Sequence, residues 1–281
     1  MQRAFNQVDV FTAVALRGNP LAVVLDGSGL SDEEMQRFAH WTNLSETTFV
    51  LPPSRDGADY RVRIFTPGGE LPFAGHPTLG TCHAWLQAGG KPQRRDVIVQ
   101  ECRQGLVSLR RDGARLAFAA PESKRTAPSP AVLAQVAGAL GLKPQQVIAA
   151  QVLDNGPVWL GILVNDPKAV LALEPDHAAL RGLGQKVGVA ARYADPREGE
   201  PMLEVRAFAD PVGIPEDPVT GSLNASLAQW LIGDGHMPAR YLAAQGARLG
   251  RAGRVHIERD AHGQVWVGGE TVTCITGTVQ L

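Results

Sequence analysis

The chain has 281 residues, 44% of them apolar and 20% charged, and its 27 basic and 28 acidic side chains leave a net charge of −1. This composition describes an ordinary globular protein long enough for two domains. The balanced charge gives no footprint for a nucleic-acid or anionic-membrane partner.

The elements are predicted in chain order. Val8–Val10 and Leu21–Leu25 read as strands on either side of a Gly18-Asn19-Pro20 turn. Ser31-Asp32-Glu33-Glu34 is a capping-box signature that opens a helix with Met35, Phe38 and Ala39 on its apolar stripe. A strand-like run follows from Asn43 to Leu51, stopped by Pro52-Pro53. Tyr60, Val62 and Ile64 alternate with Arg61 and Arg63, the period-two pattern of a half-buried strand. Pro77 suits the first position of a helix over Thr78–Gln87, which Gly89-Gly90 ends. Short strands are expected near 97–99, 106–109 and 116–118. The Ser/Pro/basic stretch from Pro121 to Pro130 is the best linker. Beyond it come a helix over Ala131–Leu140, strands near 147–152 and 158–164, a helical segment near 168–184 and strands near 186–193 and 202–208. A helix over Val219–Leu231 and three closing strands near 254–258, 264–268 and 271–280 complete the chain. Many short strands with one well-marked helix per half predict two β-rich α+β lobes. Their bounds are 1–120 and 130–269, with the last strand, about 270–281, returning to the first lobe.

Compartment and cofactor signals are sparse. No apolar run approaches the ~20 residues of a membrane-spanning helix, and Met1-Gln2-Arg3-Ala4-Phe5-Asn6 lacks an apolar signal core. Cys82, Cys102 and Cys274 are widely spaced and without metal-type spacing, so a reducing, cytoplasmic setting is expected. His40, His83, His177, His236, His256 and His262 are likewise scattered, and no metal site is expected.

The chain also repeats itself. Arg63-Ile64-Phe65 followed by Ala74-Gly75-His76-Pro77-Thr78 is matched by Arg206-Ala207-Phe208 followed by Asp217-Pro218-Val219-Thr220-Gly221-Ser222. Gly18-Asn19-Pro20 is matched by Asn155-Gly156-Pro157, with 45 residues from Pro20 to Phe65 and 51 from Pro157 to Phe208. Two similar halves that each present a polar cluster can close on one ligand between them. A helix start offers unpaired N–H groups and partial positive charge, which favour a carboxylate or phosphate. Gly75, Gly221 and Ser222 let a ligand approach the backbone. The plainer alternative makes Asp217 an N-cap and Pro218 the first helical residue. Glu46 is the lone carboxylate among apolar and hydroxyl residues in Leu44–Val50. In a poorly solvated pocket its pKa would rise and suit it to proton transfer; on a strand's polar face it would be an ordinary exposed glutamate.

At these residues the sequence resembles the PhzF-like family of phenazine biosynthesis, which has the diaminopimelate epimerase fold. The shared motifs are Gly18-Asn19-Pro20-Leu21-Ala22-Val23-Val24, Asn43-Leu44-Ser45-Glu46-Thr47, Glu70-Leu71-Pro72-Phe73-Ala74-Gly75-His76-Pro77 and Glu216-Asp217-Pro218-Val219-Thr220-Gly221-Ser222. The resemblance implies two lobes, each a β-barrel-like sheet wrapped around a central helix, in a homodimer needing no metal or organic cofactor. It implies an isomerase resembling trans-2,3-dihydro-3-hydroxyanthranilate isomerase, with Glu46 as acid/base, His76 and Asp217 as catalytic polar groups, and Gly75, Gly221 and Ser222 binding a small carboxylate substrate. The paired cysteines of related epimerases and racemases are replaced by Gly75 and Asp217. Gly250-Arg251-Ala252-Gly253 departs from the family's Gly-Arg-Pro-Ser, which bears on ligand identity. Two alternatives remain: an epimerase or racemase of an amino-acid-like substrate, and a catalytically silent binding protein on the same scaffold.

Overall fold

The computed structural model describes residues 1–281, which divide into two compact units: Met1–Ala119 with Gly268–Leu281, and Ala120–Val267. The first unit contains β1 (Gln2–Val10), β2 (Asn19–Val24), α1 (Asp32–Thr42), β3 (Thr47–Leu51), β4 (Tyr60–Thr66), β5 (Gly69–Leu71), α2 (Gly75–Gln87), β6 (Val97–Cys102), β7 (Gly105–Asp112) and β8 (Arg115–Ala119). The C-terminal strand Thr271–Gln280 pairs antiparallel with β1, which pairs with β2. β2 and β3 run parallel, β3 and β4 antiparallel, and β4 also lies parallel to β6. β6, β7 and β8 follow as an antiparallel meander.

Helix α2 touches β1, β2, β3, β8 and the C-terminal strand, so strands from both ends of the pairing order meet it. The sheet therefore curves around this helix. Nine of its thirteen residues are buried and it carries small or apolar side chains on every side, as expected of a helix enclosed all round. Gly80 permits the close approach: a Cβ there would lie 2.6 Å from Leu21 Cδ2 and 2.9 Å from Val10 Cγ2. Helix α1 lies outside, held by its capping box, in which Glu34 N–H donates to Ser31 Oγ and Ser31 N–H to Glu34 Oε2. Its Met35, Phe38 and Ala39 pack with Val24, Phe49 and Phe65.

The second unit contains β9 (Lys124–Thr126), α3 (Pro130–Ala139), β10 (Val147–Asp154), β11 (Val158–Val164), α4 (Pro167–Ala172), α5 (His177–Leu183), β12 (Val187–Arg192), β13 (Leu203–Ala209), β14 (Ile214–Asp217), α6 (Gly221–Gly233), β15 (Arg240–Gln245), β16 (Gly253–Arg259) and the first three residues of β17 (Val265–Gly269). The pairing scheme repeats. β11 and β12 run parallel, β12 and β13 antiparallel, and β13 lies antiparallel to β14 and parallel to β15. Helix α6, with eleven of thirteen residues buried, packs on β10, β11 and β16.

Side chains preserve the repeat as well. Arg63 on β4 grips Glu70 on β5 through Nε (2.8 Å) and Nη2 (2.9 Å), and its guanidinium lies 5.0 Å from the Phe65 ring. Arg206 on β13 grips Glu216 on β14 through the same atoms at 2.9 and 2.8 Å, 5.0 Å from the Phe208 ring. Each forked pair staples the hairpin that leads into the central helix, because a planar guanidinium and a carboxylate match only in a fixed geometry.

Several boundaries differ from the sequence expectation. Lys124–Thr126 inside the expected linker form a strand paired to β10, and Ser123 N–H donates to Gln229. The helical segment near 168–184 is two helices, each with its own aspartate cap: Asp166 accepts from Lys168 N–H and Asp176 from Ala179 N–H. The strand over Arg240–Gln245 had no alternating signature to announce it.

Candidate active site

Glu46 does not lie within a strand; it is the last residue before β3, which begins at Thr47. Asn43 ends α1 in the left-handed region, φ 54°, and only three residues then separate helix from strand. The hydroxyls of Thr42 and Thr47 meet at 2.9 Å across this turn, and Thr81 of α2 donates to Thr48 at 2.8 Å. Thr47 and Thr48 are wholly buried, so the backbone that carries Glu46 is fixed from both sides.

The Glu46 side chain is 13% exposed and its Oε2 lies 3.3 Å from His76 Nε2. His76 is the second residue of α2, not the residue ahead of it: the helix begins at Gly75, and Pro77 is its third residue. Asn19, the first residue of β2, approaches His76 Nδ1 through its Nδ2 at 3.2 Å. An amide nitrogen only donates, so Nδ1 accepts and the ring proton resides on Nε2, facing the glutamate. Burial pushes the His76 pKa down to about 3, and the imidazole is neutral near pH 7. The Nε2–Oε2 approach is not aligned as a hydrogen bond, and His76 Nε2 has no other hydrogen-bond partner. Helix α2 has Ala74 at its N-cap, with no side-chain bond to its first N–H groups.

The buried imidazole carries a pH consequence. The folded form resists protonation down to about pH 3, whereas the unfolded chain takes up the proton near 6.5. The unfolded state thus binds more protons between those values, and His76 costs stability as pH falls through that window. The cost approaches ~1.4 kcal/mol per pH unit. Relative to wild type, His76→Gln is expected to gain stability steadily from pH 6.5 downward, read from urea midpoints at several pH values. A constant difference from pH 7 to 4 would mean that the ring is not held neutral.

The second unit builds a related cluster from different side chains. Helix α6 begins at Gly221, with Thr220 as N-cap and no side-chain cap bond. Asp217 is therefore neither cap nor first turn. It ends β14, opposite Ala207, and is buried at 8% exposure. Thr220 makes no cap bond; its hydroxyl donates to Asp217 Oδ2 at 2.5 Å instead. Gln245 fastens both residues. Its Oε1 accepts from Thr220 N–H (3.0 Å) and Asn224 Nδ2 (2.9 Å), while its Nε2 donates to the Asp217 carbonyl (3.0 Å) and Thr220 Oγ1 (2.9 Å). Gly246 follows with φ +95°, and a Cβ there would meet the Pro218 carbonyl oxygen at 2.6 Å. Ser222, second in its helix as His76 is in α2, accepts from Trp159 Nε1 at 3.3 Å, and its carbonyl accepts from Asn155 Nδ2 at 3.0 Å.

The helix starts fix the register of the repeat. Gly75 matches Gly221 and His76 matches Ser222, while Asp217 matches Leu71 at the end of the preceding strand. Pairing His76-Pro77 with Asp217-Pro218, as the sequence suggested, is off by five residues. Within the first unit the structure brings Glu46, Gly75 and His76 together; within the second it brings Asp217, Gly221 and Ser222 together. Asn19, Asn155, Trp159, Thr220 and Gln245 were not singled out as site residues. The matched Gly18-Asn19-Pro20 and Asn155-Gly156-Pro157 motifs were the signal for the two asparagines, since each asparagine meets the second residue of its central helix.

The family model described as phenazine biosynthesis-like protein matches residues 8–277. A Schizosaccharomyces pombe protein named antisense-enhancing sequence 1 is 37% identical, over 98% of this chain and 98% of its own. The trans-2,3-dihydro-3-hydroxyanthranilate isomerase of Pseudomonas aeruginosa is 36% identical over 92% of this chain and 90% of its own. A Bacillus anthracis phenazine biosynthesis protein of the PhzF family superposes with a TM-score of 0.85 over the whole of both chains at 22% identity, which shows the shared fold. With the family model matched over nearly its full length and a relative 36% identical over 92% of it, the chain belongs to the phenazine biosynthesis-like (PhzC–PhzF) family.

Proposed function

We propose that the protein is a cofactor-independent isomerase that moves a proton, and the double bonds with it, on a small carboxylic acid. The reaction resembles that of trans-2,3-dihydro-3-hydroxyanthranilate isomerase. The observation that carries this reading is Glu46, a largely buried carboxylate held beside a neutral His76 at an uncapped helix start. Glu46 takes a proton from one carbon and returns it to another, so substrate and product differ only in the positions of that hydrogen and of the double bonds. His76 Nε2–H and Asp217 hold the substrate's polar groups, and the helix starts at Gly75 and Gly221-Ser222 receive its carboxylate. The unaligned Glu46–His76 approach fits a site whose hydrogen bonds tighten on binding.

A two-thiol epimerase is disfavoured by the cysteines. Cys82 is buried inside α2 with its thiol pushed up to about 12 by desolvation, and burial raises Cys102 as well; a thiol so protonated is a poor base. The three cysteines are free, which supports a reducing, cytoplasmic setting, and no helix is long and apolar enough to cross a membrane. A homodimer completes the reading. The test is incubation of the full chain with trans-2,3-dihydro-3-hydroxyanthranilate in deuterium oxide. Product with deuterium at the newly saturated carbon supports it. Exchange only at the α-carbon of amino acids favours the epimerase, and neither product nor exchange with any small acid favours a silent binder.

A further inference from the structure

The parallel strand pairs allow the two units to be compared residue by residue at the position of the proposed base. In the first, Thr47 opens β3 opposite Ala22 of β2; in the second, Val187 opens β12 opposite Leu160 of β11. The residue before each of these strands is Glu46 in one unit and Lys186 in the other. Matched positions thus carry opposite charges.

Lys186 is tied to the second cluster by a short path. Its carbonyl accepts from Leu160 N–H at 2.8 Å, which fixes the backbone. Its Nζ lies 5.2 Å from the centre of the Trp159 ring, and the Trp159 Nε1–H donates to Ser222 Oγ at 3.3 Å. Asn155 meets the same turn of α6: it is 2% exposed, its Nδ2 holds the Ser222 carbonyl, and its Oδ1 is a buried acceptor with no hydrogen-bond partner. The start of α6 thus combines a hydroxyl, backbone N–H groups without a side-chain cap and an unsatisfied acceptor, with the Lys186 ammonium over the neighbouring Trp159 ring. Nearly all of these favour an anion, and the acceptor favours a neighbouring N–H or O–H on the same ligand.

We infer that Lys186 is a substrate-binding residue whose ammonium selects the carboxylate of the ligand at the start of α6. The pseudo-symmetry then has a chemical purpose: one copy of the position supplies a base, the other a cation. The ligand class is a small acid bearing a donor next to its carboxylate, as in a 2-amino acid of a six-membered ring. This rests on the reading proposed above and extends it to orientation and specificity. Trp159 serves as the platform that holds the lysine stem, a cation–π arrangement that keeps the charge in place.

The test uses the full chain and two fluorescent probes of nearly equal shape, 2-aminobenzoate and its uncharged counterpart 2-aminobenzamide. Wild type is expected to prefer the acid. Lys186→Met keeps most of the stem over Trp159 and is expected to weaken the acid about 10- to 100-fold, the range for a charge-assisted contact. The amide should shift by less than about twofold, since it makes no such contact. Lys186→Arg is expected to restore most of the preference for the acid. Loss of both probes to the same degree would show a packing role alone and overturn the assignment, as would an acid affinity that Lys186→Met leaves unchanged. Either result leaves the Glu46 proton-transfer reading intact, because wild-type deuterium incorporation tests that separately. A wild type with no preference for the acid overturns both the lysine assignment and the carboxylate substrate class.

Discussion

Glu46→Gln is expected to lower turnover and solvent-deuterium incorporation by ~10²–10⁴-fold, the usual cost of a missing general acid/base. The effect should reach the upper end of that range or pass it, because the same group serves both the removal and the return of the proton. Glutamine preserves the volume and one carbonyl oxygen, so it can still face His76 Nε2–H, 3.3 Å away in the wild type, but it cannot accept and return a proton near neutrality. Substrate affinity should change by less than a few-fold, because the carboxylate is assigned to the helix starts and not to this side chain. The contrast between kcat and affinity is the diagnostic: an interaction made only in the transition state lowers kcat and kcat/KM together. Folding is a minor concern, since Thr42, Thr47, Thr48 and Thr81 hold the turn through their own hydroxyls. If Glu46→Gln exchanges deuterium as fast as wild type, the base lies elsewhere and the mechanism proposed here is wrong.

What could be read from the sequence was the repetition and the residue types; what could not was their register. The capping box at Ser31 and the alternation along Tyr60–Ile64 are local signals, and the structure contains each as read, whereas Asn19 and Pro20 of the expected Gly-Asn-Pro turn already belong to β2. The starts of α2 and α6 are different. Both helices are buried on nearly all sides, so no amphipathic stripe marks where the helical period begins, and proline was the only punctuation left. It misled in both halves: Pro77 is third in α2, and Pro218 precedes α6 by three residues. The role of Asp217 was equally hidden. A Ser, Thr or Asp before a helix usually caps it, but here Thr220 turns back to Asp217, and Gln245, 25 residues downstream, takes the Thr220 N–H. Such long-range partners leave no periodic trace. Glu46 was legible as an isolated carboxylate; its burial against His76 was not, because the contact depends on α2 being threaded through the curved sheet.

The matched arginines offer the sharpest test of how the fold is held. Arg206→Met is expected to destabilise the protein by ~3–5 kcal/mol, the cost of leaving one partner of a buried ion pair uncompensated. The side chains of Arg206 and Glu216 are 5% and 9% exposed. Beyond the forked pair, Arg206 Nη1 donates to the carbonyls of Val170 and Leu173 at 3.1 and 2.7 Å, satisfying the end of α4. Methionine fills the space but strands a carboxylate and two carbonyls in a dry environment. Arg63 is the internal control. It makes the same fork to Glu70, yet the pair is 15% and 21% exposed and its further partner, Asp32, is 82% exposed. Water can reach the groups that Arg63→Met leaves behind, so that loss should be ~1–2 kcal/mol, nearer to the range of exposed pairs. Adding Glu216→Gln to Arg206→Met should recover part of the larger loss by removing the stranded charge. Urea unfolding of the four proteins, with hydrogen exchange along β13 to locate the weakened unit, decides the matter. Equal losses for the two arginines would mean that burial does not set the worth of these staples, and that the two lobes are held to the same degree by a motif their surroundings do not modulate.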